Sequence, residues 1–386
     1  MLVVGMFFQA WMTHAITQYL CDVMEGPLIT EFLRSPIRVF VLVKRDVLDD
    51  GWVSIDVGRK RGRVLGVIQA PPGKVYKFSP KISMRKYRDL MDLLSRGVLP
   101  GIMLLTLLQN FFQCFLGDIS FAQRWGPPGV VSFNLTSGFI VYALVVGILT
   151  SRVKAAYGRY TDYRWGFGIP SPVAWAVQEF PSFWIPTAVL YRNRHTIFES
   201  EERFTGAFIL SFFIGHYCNR TFAFPLLMNP SSKAVPVTTV VSAFFFTSFN
   251  GFLQAHYFME VAKYSSFQLF VLHPSTLLGF VLFVVGLLWN IESDSILRSL
   301  RRPGEKGYKI PHGGLFQFIS APNYFSEIVE WWGFWILSEF SYPAFAFALF
   351  TSLFLGIRGY QHHQWYLEKF GSEYPRSRKA IIPLIL

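Results

Sequence analysis

Six windows of this chain carry no charged side chain: 125–151, 165–178, 204–219, 234–259, 264–291 and 340–357. A helix that crosses a bilayer core needs about 20 consecutive, mostly apolar residues. In hydrocarbon every backbone N–H and C=O must be satisfied within the segment, so windows of this kind fold as helices. The chain is therefore read as an all-α, polytopic membrane protein. Spans are predicted near 132–152, 171–191, 204–228, 234–258, 266–290, 324–341 and 342–360, the sixth interrupted by Glu327, Glu330 and Glu339. A chain of 386 residues with 52% hydrophobic and only 16% charged residues does not fit the two or three soluble domains its length would otherwise allow.

The net charge of +12 points to cytosolic loops and anionic headgroups. Basic loops at 152–164 and 298–309, and the tail after Arg358, fall on one side when seven spans are counted from 132. Residues 1–130 differ in character and are read as an extension of unknown role. Met1–Cys21 lacks the basic start of a signal peptide. Residues 34–96 hold fifteen Lys or Arg against six Asp, with Gly-Arg-Lys-Arg-Gly-Arg at 58–63 and a strand-like VLGVIQA at 64–70. Seven spans alone leave this basic region in the lumen, and an extra span over Gly97–Gly117 returns it to the cytosol. No basic stripe interleaved with aromatics suggests a nucleic-acid partner. Cys21, Cys114 and Cys218 lie too far apart for a metal or redox motif. The sequons at Asn134 and Asn219 fall inside predicted spans.

Between Arg164 and Arg192 the one charged residue is Glu179, set among Trp, Phe, Val, Ala and Ile. An acidic group near the centre of a span costs roughly 3 kcal/mol on insertion scales, so it faces a bundle interior and has a task. Tyr217 and Arg220 sit at i, i+3 in GHYCNRTF, and a phenol paired with a neutral carboxyl group is a competent electrophile for a carbonyl oxygen. Three polar rows follow at helical spacing. They are Asn290, Asp294, Arg298, Arg301; then Asn323, Glu327, Glu330; then Phe350, Phe354, Arg358, His362, Tyr366. Snorkelling groups at helix ends account for any one row. Three rows at one end suit a large ligand with phosphates, ribose and an amide, because arginines pair with phosphate oxygens. Such a ligand is a dinucleotide, and without G-x-G-x-x-G it is not held by a Rossmann domain. His362 and His363 are adjacent on a helix and point apart, which speaks against a metal. A seven-helix receptor or transporter would also bury a lone Glu, as counter-ion or ion ligand.

The phrases YGRY (157–160), VAWAVQEFPSF (173–183), GHYCNRTF (215–222), FNGFLQ (249–254) and NIESDSILRSLRRPGE (290–305) run in one order along the chain. They continue with YKIPHGGLFQFISAPNYFSEIVEW (308–331), FAFALFTSLFLGIRGYQHHQWYLEKF (345–370) and EYPRSRKAIIPLIL (373–386). From about Tyr157 onward the chain resembles the steroid 5α-reductase family, closer to the branch acting on 3-oxo-4-ene steroids than to polyprenol or enoyl-thioester reductases. The resemblance implies a seven-helix fold in the endoplasmic reticulum membrane, with NADPH bound on the cytosolic side and reduction of an enone double bond. It implies that Glu179 and Tyr217 hydrogen-bond the steroid 3-keto oxygen and that Trp175, Phe350 and Phe354 line the steroid pocket. It assigns Asn290, Asp294, Arg298, Arg301, Asn323, Glu327, Arg358, His362 and Tyr366 to the cofactor. Lys309 stands where relatives often have arginine. The implied division is a membrane reductase over 131–386 with its cofactor-binding half at 290–386, and membrane lipids and a lipid-like enone as partners. The first 130 residues match nothing in the family pattern, and the residues leave the oligomeric state open.

Overall fold

The computed structural model of the chain describes residues 109–386, apart from 230–231, 265, 302–304, 306, 384 and 386, together with three strands nearer the N-terminus. Those strands are β1 (Ser54–Lys60), β2 (Arg63–Gln69) and β3 (Val75–Phe78), antiparallel in the order β1-β2-β3. Lys60 pairs with Arg63 and Gly66 with Phe78. The strand-like stretch read at 64–70 is thus β2. These strands belong to a compact unit, Met12–Leu108, separate from the helical unit that contains Gln109–Leu386.

Seven long helices make up the second unit among the described residues. They are α1 (Pro128–Arg152), α2 (Ser171–Arg192), α3 (Glu201–Cys218), α4 (Val237–His256), α5 (Pro274–Ser299), α6 (Pro322–Leu337) and α7 (Tyr342–Phe370). Proline in the first turn of α1, α2, α5, α6 and α7 sets φ where no N–H bond is required. A two-residue pairing of β4 (Gly168–Ile169) with β5 (Val235–Pro236) ties the starts of α2 and α4. Among the described residues three helices are long and apolar enough to cross a membrane: Pro128–Arg152, Pro274–Ser299 and the segment Tyr342–Glu373. Of the proposed extra span, residues 97–108 lie outside the described residues and 109–115 are helical. Within this unit residues 109–127 pack against α2 and α4. Trp184 Nε1 donates to Phe115 O at 2.8 Å, and Phe121 stacks on Phe252 at 5.6 Å.

Burial follows the pattern of a protein in lipid. On α5 the buried positions are Thr276, Gly279, Phe283, Gly286, Asn290, Ser293 and Asp294. The outward ones include Leu277, Leu278, Val281 and Leu288. Small and polar residues face the neighbours while large apolar ones face away, as expected where lipid tails remove the drive to bury leucine. The glycines let α5 and α6 touch backbone to backbone. A Cβ on Gly286 would lie 2.5 Å from Glu330 N and 2.7 Å from Ser326 O, so no other residue fits there without moving a helix.

The helices depart from the predicted spans at several places, α7 running to Phe370 rather than 360, and three of the departures have a local cause. The predicted span 266–290 divides at His273, because Pro274 pushes the residue before it out of helical geometry; His273 has ψ 133. Beyond that break α5 runs past the predicted limit to Ser299, so Asn290, Asp294 and Arg298 share one helix. The predicted span 324–341 ends at Leu337, where Glu339 and Phe340 take left-handed φ values of 51° and 61° and turn the chain into α7. The predicted span 204–228 contains a π-helical turn at Asn219–Ala223, next to Tyr217 and holding Arg220. Such turns occur frequently at functional sites.

Candidate active site

Glu179 lies at the middle of α2, a helix that also contains Pro181 and Pro186. Each proline removes a backbone donor and loosens the turn before it. Side chains of α4 and α2 close the gap: Thr247 Oγ1 donates to Gln178 O at 2.6 Å, and Ser182 Oγ donates to Thr247 O at 2.8 Å. Gly251 permits this approach, since a Cβ there would lie 3.1 Å from Pro181 O. Glu179 is half-buried, accepts from Gln178 Nε2 at 3.3 Å, and has Arg220, Glu327 and His216 as its charged or ionisable neighbours.

Tyr217, only 4% exposed, ends α3. Its phenol oxygen faces Ser182 of α2 and Asn250 of α4, and Glu179 acts on it electrostatically. The structure therefore brings the two predicted catalytic residues into one neighbourhood. Beside Tyr217, His216 Nδ1 lies 2.7 Å from Glu330 Oε1, a pair with side chains 2% and 0% exposed. The indole of Trp331 packs on both rings, at 4.6 Å from His216 and 6.0 Å from Tyr217. Buried charge is costly unless paired and hydrogen-bonded, so this arrangement marks a built site rather than loose interior.

Arg220 is the hub that ties the site to α5 and α6. Its Nη1 donates to Asp294 Oδ2 at 3.1 Å, and its guanidinium lies over the rings of Phe224 (4.2 Å) and Trp175 (4.8 Å). Glu327, Glu179 and Glu330 also act on it. Asn290 Nδ2 donates to Asn323 O at 2.8 Å and reaches Glu327 Oε2 at 3.4 Å, so the first and second polar rows meet. Arg298 adds positive charge beside Asp294. Arg301, past the end of α5, makes a long contact to Gly307 O at 3.5 Å and lies 5.7 Å from the Tyr308 ring. Lys309 is paired with Glu305 at 2.6 Å.

The third row joins through the 155–160 loop. Arg358 donates to Tyr324 OH (3.0 Å), Ala155 O (3.2 Å) and Tyr157 O (3.0 Å), and lies 3.6 Å from the centroid of the Tyr157 ring. Tyr157 in turn meets Trp175 edge-on at 6.3 Å. Burial pushes the Tyr160 phenol in this loop above its ordinary range, while Arg159 and Arg358 pull it the other way. His362 lies between the rings of Tyr160 (5.5 Å) and Tyr324 (5.2 Å), and Tyr366 OH accepts from Arg159 Nη2 at 3.2 Å. The neighbouring His363 turns instead to Ser320 Oγ at 2.7 Å. Of the predicted pocket residues, Phe350 and Phe354 stack on each other at 5.7 Å, and Phe350 stacks on Phe246 at 4.3 Å and Tyr142 at 5.9 Å. Trp175 belongs to a different aromatic group, with Arg220, Phe224 and Tyr157. No group of three or more metal-ligating side chains occurs among the described residues.

His216, Arg220, Ser182, Asn250 and Gln254 carry no role in the sequence pattern. A signal for the last two was present: Asn250 and Gln254 stand at i, i+4, on one helix face inside the apolar window 234–259.

Outward-facing apolar helices around an interior of arginine, histidine and carboxyl groups are the architecture of a helical membrane protein with a polar interior site. A family model described as 3-oxo-5-alpha-steroid 4-dehydrogenase matches residues 233–386. Over 249 residues the chain is 44% identical to 3-oxo-5-alpha-steroid 4-dehydrogenase 1 of Rattus norvegicus, covering 64% of this chain and 92% of the relative. It is 42% identical to the Homo sapiens enzyme 1 over 237 residues (61% and 87%) and 40% identical to the Homo sapiens enzyme 2 over 233 residues (60% and 88%). The chain belongs to the 3-oxo-5-alpha-steroid 4-dehydrogenase family, the steroid 5α-reductases. It is an oxidoreductase acting on CH–CH bonds.

Proposed function

We propose that the protein reduces the 4,5 double bond of 3-oxo-4-ene steroids to 5α-steroids, with NADPH as hydride donor. In this reading the seven helices cross the endoplasmic reticulum membrane, with the reductase in 131–386 and its cofactor half, 290–386, open to the cytosol. The observation that carries it is the shared neighbourhood of Glu179 and Tyr217 on two different helices, beside a polar cluster built from α5 and α6. The names of the relatives supply the substrate class.

The cofactor residues fit such a ligand. Asn290 Oδ1 and His362 Nε2 are buried polar atoms without a hydrogen-bond partner among the described residues, and so remain free for an amide or a hydroxyl. Arg298 and Arg301 lie near the end of α5, where phosphate oxygens would meet them. Arg358 and Tyr366 hold the 155–160 loop and shape that end of the site. NADPH, when bound, supplies hydride to the β-carbon of the enone. As electrons move onto the 3-oxygen, Tyr217 and the protonated carboxyl of Glu179 donate hydrogen bonds to it in a site closed to water. A proton then completes the α-carbon. Trp175, Phe350 and Phe354 give the steroid its apolar walls.

Side-by-side incubation with a 3-oxo-4-ene steroid, a trans-2-enoyl-CoA and a polyprenal, with NADPH and product detection, tests the proposal. A 5α-steroid is the expected product. Reduction of the thioester or the polyprenal alone transfers the enzyme to another branch, and no reduction of the steroid with NADPH present would overturn the proposal. Arg301→Glu is expected to raise the KM for NADPH about tenfold or more, since a charge-assisted phosphate contact is worth about 1.5–3 kcal/mol, with the steroid KM little changed. An unchanged NADPH KM would remove Arg301 from the cofactor site.

A further inference from the structure

Asn250 and Gln254 are both fully buried, one turn apart on α4, whose buried face also carries Thr247, Ser248 and His256. Buried amides of this kind are kept where they orient something. Gln254 Nε2 donates to Pro343 O at 3.1 Å and to Asn250 Oδ1 at 3.2 Å. A backbone carbonyl only accepts, so the Pro343 contact fixes which end of Gln254 is the nitrogen. The second contact then fixes Asn250 in turn: its oxygen faces Gln254 and its NH2 faces away. That Nδ2 has no acceptor at ordinary hydrogen-bond distance among the described residues, and the Tyr217 hydroxyl is the polar group that faces it.

We infer that Asn250, oriented by Gln254, donates an amide hydrogen to the Tyr217 oxygen and thereby directs the phenol proton at the substrate carbonyl. The inference rests on the role proposed above for Tyr217 and deepens it. A phenol has one proton to give. If its oxygen accepts from an amide, its own O–H turns to whatever acceptor remains. The hydroxyl facing the phenol is Ser182 Oγ, which can accept because its own hydrogen is committed to Thr247 O at 2.8 Å. A ketone oxygen held between Tyr217 and Glu179 takes that proton in place of the serine. The open Asn250 contact closes on substrate binding, as catalytic hydrogen bonds commonly do. Asn250 and Gln254 are positioning residues: neither touches the reacting atoms.

The test uses the full chain in detergent or liposomes and compares Asn250→Leu, Asn250→Asp, Tyr217→Phe and the doubles. Asn250→Asp keeps an oxygen for Gln254 but puts a carboxylate oxygen where the NH2 was. Both Asn250 variants are expected to lower kcat about 10- to 100-fold, the scale of a misaligned donor, with the steroid and NADPH KM values little changed. In the Tyr217→Phe background either should cost less than about twofold more, because the interaction it removes is already gone. Should Asn250→Leu fail to fold, Asn250→Asp alone decides. Near-normal kcat in Asn250→Asp, or a full multiplicative loss on top of Tyr217→Phe, would overturn the inference. Near-normal turnover in Tyr217→Phe itself would instead overturn the role given to Tyr217.

Discussion

Tyr217→Phe and Glu179→Ala each lower turnover by about 10²–10³, the usual cost of one preorganised donor to a developing oxyanion, while NADPH still binds. The two substitutions remove different atoms from the same task. Phenylalanine keeps the ring that Phe213 (4.7 Å) and Trp331 (6.0 Å) pack against and deletes only the hydroxyl. Packing is therefore preserved, and the loss is chemical. Alanine at 179 deletes the carboxyl on the opposite helix, and Glu179→Gln, which retains an N–H donor, should recover part of the activity. NADPH affinity is spared because the groups assigned to the cofactor lie on α5, α6 and α7. Steady-state kinetics with titration of NADPH separates the two effects. Turnover within about threefold of the parent in either variant would withdraw the polarising role from that residue, since a lost donor costs far more.

Arg220→Leu is expected to cost about 3–5 kcal/mol, enough to deplete folded protein, because a buried ion pair is broken and one partner is left behind. The loss spreads beyond Asp294, its 3.1 Å partner, since Glu179, Glu327 and Glu330 also depend on this one guanidinium. Arg220→Lys keeps the charge but neither the fork nor the planar stack over Trp175 and Phe224, and should fall between. Pairing Arg220→Leu with Asp294→Asn removes the stranded carboxylate and should return part of the stability. Thermal melting followed by size-exclusion chromatography measures all three. A melting temperature for Arg220→Leu equal to the parent's would mean that the carboxyl groups do not need it.

The sequence made the helices legible and their meeting faces much less so. Apolar windows fix where spans lie because lipid imposes one rule on every backbone group. Proline and left-handed residues then trim them, as at Pro274 and at Glu339–Phe340. Glu179 stood out because a lone acid in hydrocarbon is expensive, and the rows at Asn290 and Asn323 stood out by period. Period says which residues share a face, not which face meets which. The His216–Glu330 pair joins helices far apart in sequence, and nothing local in either segment announces the other. Arg358 illustrates the same limit. Its place in the third row suggested a ligand contact, whereas three of its N–H bonds go to Tyr324, Ala155 and Tyr157. Phe350 likewise sits in a stack with Phe246 and Tyr142 that its helix position alone does not reveal.

Polarisation of one carbonyl is the claim on which the rest stands, and the vibrational spectrum of that bond reads it directly. A 3-oxo-4-ene steroid labelled with ¹³C at the ketone, bound with oxidised cofactor so that no reaction follows, should show its C=O stretch at lower frequency than in an inert solvent. In Tyr217→Phe and in Glu179→Ala the band should move back toward the solvent value. A bound ketone whose stretch matches the inert solvent, or one unmoved by both substitutions, would contradict the account.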